Sequence, residues 1–125
     1  MNLKRRGSQY ESAFMTQALK RGLDILEPYG DYMPYGVMVQ NADGRIQRVQ
    51  VKGTSSQIKN KPGYKVIAAS GNATKTPINP DEVDVLAAYV EPEDAWYVIP
   101  VKKLKGNISV YLNPNTKQNG RYEVW

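Results

Sequence analysis

The stretch from residue 35 to residue 52 constrains the fold most, because its pattern predicts two strands joined by a tight turn. It reads Y-G-V-M-V-Q-N-A-D-G-R-I-Q-R-V-Q-V-K. Residues 37–40 favour a strand, and the following N-A-D-G is strong turn chemistry. Residues 46–52 then alternate with the period of two that a strand requires. The sequence therefore predicts a β-hairpin here.

The alternation assigns the hairpin side chains to two faces. On the second strand, one face carries an amide and an ammonium side by side. That face is Ile46, Arg48, Gln50 and Lys52, and the opposite face is Gln47, Val49 and Val51. The first strand divides in the same way into Gly36, Met38 and Gln40 against Tyr35, Val37 and Val39. A plain hairpin at a sheet edge explains the same pattern, so the residues alone leave both interpretations open.

The 125 residues include no Cys and no His. The absence of Cys excludes disulfides and thiolate metal sites. The absence of His excludes Ser–His triads, His-ligated metals and every imidazole acid–base mechanism within this chain. Hydrolytic chemistry would therefore need carboxylates, Lys, Tyr or a hard cation held by oxygen atoms.

The length predicts one domain over residues 1–125, large enough for a hydrophobic core. No apolar run approaches the roughly 18 residues of a membrane span. The N-terminal M-N-L-K-R-R-G lacks the apolar segment of a signal peptide. We therefore expect a soluble, intracellular protein of the cytoplasm.

The positive charge is concentrated in the first two thirds of the chain. Residues 1–80 carry 12 Lys and Arg against 5 Asp and Glu, whereas residues 81–125 carry 5 against 7. A basic region favours a polyanion as partner, because neutralising phosphates releases condensed counterions. Many basic domains bind no polyanion, so charge alone does not identify one.

A helix is predicted from Ser8 to Arg21, ended by Gly22. Its apolar face follows the helical period and consists of Tyr10, Ala13, Phe14, Gln17 and Ala18, widened by Met15 and Leu19. Ser8 and Glu11 have the spacing of a capping box, which gives Glu11 a purely structural interpretation.

The rest of the chain predicts an α/β fold with a mixed sheet of about five to seven strands and the first helix packed on one face. The predicted strands, beyond the hairpin, are 23–27, 64–69, 83–90, 95–100, 108–112 and 121–125. Asn79-Pro80-Asp81-Glu82 predicts the start of a helix of one or two turns. We expect the strands ending at residues 50–52 and running through 85–90 to be central.

The order of these motifs resembles the core of the PD-(D/E)xK nuclease superfamily. The resemblance rests on Pro34-Tyr35, the hairpin, and Q-V-K at residues 50–52, and it extends through D-V-D-V-L-A-A-Y-V and W-Y-V-I-P, covering roughly residues 7–100. Gln50 stands in place of the usual acid, and in this the sequence is similar to the branch of group I intron-encoded homing endonucleases. Holliday-junction resolvases and many restriction enzymes share the same core.

The resemblance implies a restriction-endonuclease-like fold and hydrolysis of DNA phosphodiesters with Mg²⁺, for which Mn²⁺ can substitute. It assigns catalytic roles to Glu11, position 36, Gln50 and Lys52, and metal binding to Glu11, position 36, Gln50 and Val51. In this branch Lys52 would orient the attacking water or stabilise the developing charge.

The chain departs from the family pattern at position 36. Where the family has P-Y-D, this sequence has P-Y-G, so the metal-binding Asp is replaced by Gly36. Two explanations are a recent single loss, natural or engineered, in an otherwise intact nuclease, and a lineage that kept the fold for DNA binding alone. We favour the single loss, because Glu11, Gln50 and Lys52 all remain in matching places. Asp31 is interpreted as a solvated turn residue, and Asp43, at the far end of the hairpin, lies too far away to help.

The resemblance also implies double-stranded DNA as partner and a homo-oligomer, dimer or tetramer, because one metal site cuts one strand. Arg48, Lys59 and Lys61 are the predicted DNA-binding residues, with a merely solvated loop as the alternative for the two lysines. A non-catalytic DNA-binding protein, an RNA-binding protein and a Holliday-junction resolvase-like nuclease are the alternative functions.

Overall fold

The computed structural model describes residues 3–70, 74–115 and 124–125. One long helix, α1, spans Leu3–Lys20. The strands are β1 (Asp24–Leu26), β2 (Val37–Gln40), β3 (Ile46–Thr54), β4 (Tyr64–Ile67), β5 (Ala69–Ser70), β6 (Thr76–Pro77), β7 (Val85–Val90), β8 (Ala95–Pro100) and β9 (Ser109–Leu112). Within the described ranges, no helix is long and apolar enough to cross a membrane.

Five strands form a mixed sheet in the order β1-β2-β3-β7-β8. The β3–β7 pair is parallel, and the other neighbours are antiparallel. The sheet therefore places β3 at its centre and β7 beside it. The prediction of an α/β fold with a mixed sheet and these two central strands is confirmed.

The predicted hairpin is present and is closed by its glycine. The amide of Asn41 donates to the carbonyl of Arg45 at 2.9 Å, and the amide of Gly44 donates to the carbonyl of Asn41 at 3.0 Å. Gly44 has φ of +90°, a conformation in which a side chain would be strained. Because the turn fixes the register, Val37 pairs with Val49 and Met38 pairs with Arg48.

Helix α1 covers one face of the sheet. The buried side chains between the helix and the sheet form a hydrophobic cluster of Phe14, Ala18, Val37, Val39, Val49, Val85, Ala87 and Trp96. Gly53 lets the helix approach closely, since a Cβ there would lie 2.6 Å from the ring of Tyr10. The hydroxyl of Tyr10 donates to Glu91 Oε2 at 2.7 Å, which anchors the helix to the turn after β7. Leu19, predicted on the buried face, is 58% exposed.

The capping-box interpretation of Ser8 and Glu11 is wrong. The helix begins at Leu3, so both residues lie in its interior, where the backbone amides already have partners along the helix. The prediction that Gly22 ends the helix is confirmed. Gly22 adopts φ of +80° and its amide donates to the carbonyl of Leu19 at 3.0 Å.

The other face of the sheet is covered by a two-stranded sheet of β4 and β9. Their apolar side chains form a second cluster with β7 and β8, in which Leu86, Tyr97, Ile99 and Leu112 are fully buried. The pairing of β4 with β9 was not predicted, because it joins segments more than forty residues apart.

The prediction of a helix starting at Asn79 is wrong. The carbonyl of Asn79 accepts from the amides of Glu82 and Val83 at 3.0 Å, which forms an isolated turn that leads directly towards β7.

Of the strand predicted over residues 121–125, residues 121–123 lie outside the described residues. Trp125 stacks on Phe14 with ring centroids 5.6 Å apart, and its amide donates to the carbonyl of Trp96.

Arg48 and Asp84 join β3 to the approach to β7. The guanidinium donates through Nε to Asp84 Oδ2 and through Nη2 to Oδ1, both at 3.0 Å, and the Arg48 amide donates to Oδ2 at 2.7 Å. The Arg48 side chain also donates to the carbonyl of Asp81 at 2.9 Å. Hydrogen bonds from Arg48 lower the pKa of the Asp84 carboxyl, an effect that partial burial opposes.

This pairing predicts a pH dependence of stability. Because the folded pKa of Asp84 is below its unfolded value of about 3.9, the carboxylate stabilises the fold above that pH and loses its contribution as the pH falls through the folded pKa. We expect Asp84→Asn to lower the melting temperature at pH 7. The difference from the unsubstituted protein should vanish in strong acid, as followed by circular dichroism.

Asp24→Asn, on the exposed edge of the sheet, is the matched control and should leave the melting temperature unchanged. A melting-temperature difference between the Asp84→Asn protein and the unsubstituted one that stays constant from pH 7 to strong acid would contradict the assigned role of the ion pair.

Candidate active site

Glu11 and Gly36 meet where α1 crosses the beginning of β2. Glu11 lies in the interior of the helix and is half-buried. Gly36 precedes β2, and its amide donates to the carbonyl of Val49 at 3.2 Å, which ties it to β3. A Cβ built on Gly36 would overlap the Glu11 carboxylate and lie 2.9 Å from its Cδ. The carboxylate of Glu11 therefore occupies the space that a side chain at position 36 would take.

A pocket of about 350 Å³ opens at this contact. Glu11 and Gly36 line it together with residues of the crossing between β1 and β2. The full lining is Glu11, Glu27, Pro28, Gly30, Asp31, Met33, Tyr35 and Gly36. Three of these residues carry carboxylates and none carries a positive charge, so the pocket is strongly acidic.

Glu11 is held in an environment that disfavours its charge. Burial raises the pKa of the Glu11 carboxyl, and the negative charge of Glu27 raises it further. Glu27 lines the same pocket as Glu11, so the two carboxylates share one environment. A cation in the pocket would oppose both effects by stabilising the ionised carboxylate.

Gln50 and Lys52 lie on the central strand, on the face turned away from α1. Val49, between α1 and the sheet, is fully buried, whereas Gln50 and Lys52 pair with Leu86 and Ala88 of the opposite cluster. The predicted side-by-side arrangement of the amide and the ammonium follows from this register. Neither residue belongs to the lining of the acidic pocket.

Lys52 is a half-buried amine. Burial lowers the pKa of its ammonium, and the positive charge of Lys75 lowers it further. Within the described part of the chain, no hydrogen-bond acceptor or carboxylate pairs with the Lys52 amine. Its donors are therefore available to a group that approaches from outside the protein.

The predicted alternation breaks at Gly36. Tyr35 packs against the cluster under β4 and β9, whereas Val37 and Val39 pack against α1, so Tyr35 does not share their face. Regular strand structure begins only at Val37, and the bend before it turns position 36 towards Glu11. The placement of Gly36 on the Met38 face is therefore wrong.

The three predicted DNA-binding residues have different surroundings. Arg48 is paired with Asp84 as described above. Lys59 and Lys61 are both exposed, in a loop closed by a 3.0 Å hydrogen bond from the amide of Ile58 to the carbonyl of Gly63. A role in DNA binding stays a prediction for all three.

Comparison with known proteins identifies the fold family. The family described as PD-(D/E)XK endonuclease matches residues 1–124. The chain belongs to the PD-(D/E)XK endonuclease family. The predicted resemblance and the restriction-endonuclease-like fold are thereby confirmed.

A solved structure gives an independent likeness to this endonuclease family. The bacterial homing endonuclease I-Ssp6803I is 26% identical to this chain and superposes with a TM-score of 0.78. The likeness covers 97% of this chain and 84% of that one. A search of curated proteins finds no match.

PD-(D/E)XK nucleases generally use divalent metal ions. Among the described residues, no group of three or more His, Cys, Asp or Glu side chains is arranged to hold one. Glu11 and Glu27 nevertheless offer two carboxylates, and Mg²⁺ is usually bound by one or two carboxylates completed by water and phosphate oxygens. The oxygen-only chemistry of this donor set fits such an ion.

Sequence reasoning missed Glu27 and set Asp31 aside. Glu27 follows the short strand β1, and its sequence context, D-I-L-E-P, gives no motif. Its proximity to Glu11 depends on the antiparallel pairing of β1 with β2, which nothing in the sequence specifies. Asp31 is exposed, as predicted for a turn residue, but it lies on the rim of the same pocket.

Proposed function

We propose that this chain is a metal-dependent DNA endonuclease of the homing type whose catalysis is impaired by Gly36. The observation that carries the proposal is the pair Gln50 and Lys52 on the central strand, one and three residues after Val49, whose carbonyl accepts a hydrogen bond from the amide of Gly36. This pair lies within a fold that matches an endonuclease family over residues 1–124.

The chemistry follows from the available side chains. Glu11 would bind the ion through its carboxylate, and Gln50 and Val51 would contribute amide and carbonyl oxygens from β3. A divalent ion bound there lowers the pKa of the attacking water and offsets charge on the phosphorane. Since the chain has no His, no imidazole can serve as the base.

Lys52 would act on the substrate side of the site. Its amine is half-buried and unpaired among the described residues, so it can donate to the attacking water or to a phosphate oxygen without first breaking an internal ion pair. A donor already fixed in place stabilises developing charge more effectively than one that must reorganise.

The basic region supports double-stranded DNA as the partner. Residues 1–80 carry a net charge of +7, from 12 basic and 5 acidic residues. Lys59 and Lys61 extend into solvent from the loop after β3 and could contact phosphates beside the site. A chain of this size with one site would cut both strands only as a dimer or higher oligomer, which we infer is the working form.

Gly36 accounts for the impairment. The family pattern supplies a carboxylate from the start of the first hairpin strand, and this chain supplies only backbone there. The Glu11 carboxylate fills the resulting space but comes from the helix. One ligand is therefore absent from the strand that is hydrogen-bonded to β3.

The first test restores that carboxylate. We expect Gly36→Asp to increase Mg²⁺-dependent nicking and linearisation of plasmid or phage DNA by roughly a thousand-fold. That factor corresponds to about 4 kcal/mol of transition-state stabilisation, at ~1.4 kcal/mol for each factor of ten. The new side chain must displace only the mobile end of Glu11, so the protein should still fold.

Two controls make the cleavage result specific. Lys52→Ala in the Gly36→Asp background should abolish cleavage, and Gly36→Asn should not restore it, because an amide adds similar bulk without the charge. A Gly36→Asp protein that folds and binds DNA, yet cuts nothing with Mg²⁺ or Mn²⁺, would refute the nuclease proposal. It would favour the alternative of a DNA-binding protein without catalysis.

The second test concerns the loop after β3. Replacing both Lys59 and Lys61 with Ala should weaken binding to all duplex sequences about equally. It should also reduce the salt dependence by up to roughly one unit of log–log slope for each lost phosphate contact. Filter binding or fluorescence anisotropy across a salt series measures both quantities.

Lys20 and Lys103, exposed elsewhere on the surface, provide a matched double-alanine control with the same change in net charge. If the two double variants lose the same affinity and slope, the effect is one of general charge, and the loop makes no specific contact.

A further inference from the structure

We propose that Glu27, which follows the end of β1, supplies the second carboxylate of the metal site in a chain that lacks the Asp at position 36. This inference deepens the proposed nuclease function and rests on it. It concerns which residues of this chain bind the ion, and it can be tested without measuring cleavage.

The backbone brings Glu27 to the site. Strand β1 pairs antiparallel with β2, and its last pair is Leu26 with Met38. The next residue, Glu27, is therefore level with Val37, one residue from Gly36. Glu27 thus follows the strand that pairs with β2 and lies near the level of position 36.

The absence of a side chain at position 36 leaves space for the Glu11 carboxylate. With no side chain at position 36, the Glu11 carboxylate extends over the glycine, and both face the pocket that Glu27 also lines. An Asp at position 36 would occupy that space itself and force the Glu11 carboxylate to move. The absence of a side chain at position 36 and the present position of the Glu11 carboxylate are therefore structurally linked.

The charge of the pocket agrees with a bound cation. Glu11, Glu27 and Asp31 line it without a basic residue among the lining, and no ion pair involves Glu11 or Glu27 within the described ranges. Glu27 directly follows β1 and is level with Val37, whereas Asp31 lies farther along the crossing between β1 and β2. Two carboxylates also match the number that Mg²⁺ usually takes from a protein.

The test measures ion binding without DNA. Isothermal titration with Mn²⁺, supported by the electron paramagnetic resonance signal of free Mn²⁺, gives the dissociation constant of each variant. We expect Glu27→Gln to weaken Mn²⁺ binding at least ten-fold relative to the unsubstituted protein. Asp24→Asn, at the other end of β1, should leave the affinity within two-fold, and Asp31→Asn should weaken it less than Glu27→Gln.

A double variant tests whether a carboxylate at position 36 can replace the one at position 27. Adding Gly36→Asp to Glu27→Gln should return the Mn²⁺ affinity to that of the unsubstituted protein, because the missing carboxylate is replaced from the neighbouring strand. Circular dichroism melts should be similar for all these proteins, since the Glu27 side chain is exposed and contributes little to packing.

The outcomes separate this inference from the proposed function. Equal Mn²⁺ affinity of the unsubstituted and Glu27→Gln proteins, or no measurable binding by the unsubstituted protein, would overturn the role of Glu27. If the Gly36→Asp protein still binds Mn²⁺ and cuts DNA in that case, the nuclease proposal stands. If the Gly36→Asp protein neither binds Mn²⁺ nor cuts DNA, the nuclease proposal fails as well.

Discussion

The parallel pairing of β3 with β7 is the contact on which the rest of the structure depends. Six consecutive pairs, from Val49 with Val85 to Thr54 with Val90, join the hairpin to the second half of the chain. Parallel strands carry apolar side chains on both faces, so other elements must pack on both faces of the sheet. Helix α1 covers one face, and β4 with β9 cover the other.

This double cover determines where chemistry can occur. Along β3, Val49 is fully buried, whereas Gln50 and Lys52 are half-buried. A second group of polar side chains lies where β2 begins. Gly36, Glu11 and Glu27 meet at that point, and Gln50 is the next residue after the Val49 carbonyl that accepts from Gly36. Glu11 and Lys52 are both half-buried, at separate places beside the sheet, and burial disfavours the charged form of each.

Much of the fold could be predicted because its strands follow simple patterns. The hairpin, the apolar run of β7 and the return through β8 were correctly located, since alternation and turn residues specify them locally. The helix predicted at Asn79 failed because good capping residues also form an isolated turn. The start of α1 was placed too late, because Ser8 and Glu11 have a spacing that occurs equally within a helix.

The candidate site was only partly predictable for a related reason. Glu11, Gln50 and Lys52 belong to motifs, so the resemblance identified them as candidates. Glu27 belongs to no motif, and its position depends on the register of a three-residue edge strand. The direction of Gly36 was predicted wrongly because the alternation was extended one residue beyond the true start of β2. Side chains that only the tertiary pairing of strands brings together form no motif in a single sequence.

The proposed function requires a divalent ion beside Gly36, bound by carboxylates from α1 and from the end of β1. Anomalous diffraction from crystals of the unsubstituted protein grown with Mn²⁺ tests it most directly. We expect an anomalous peak in contact with the Glu11 carboxylate, in the pocket shared with Glu27. The absence of a peak in this pocket at saturating Mn²⁺, with the Glu11 carboxylate still lying over Gly36, would contradict it.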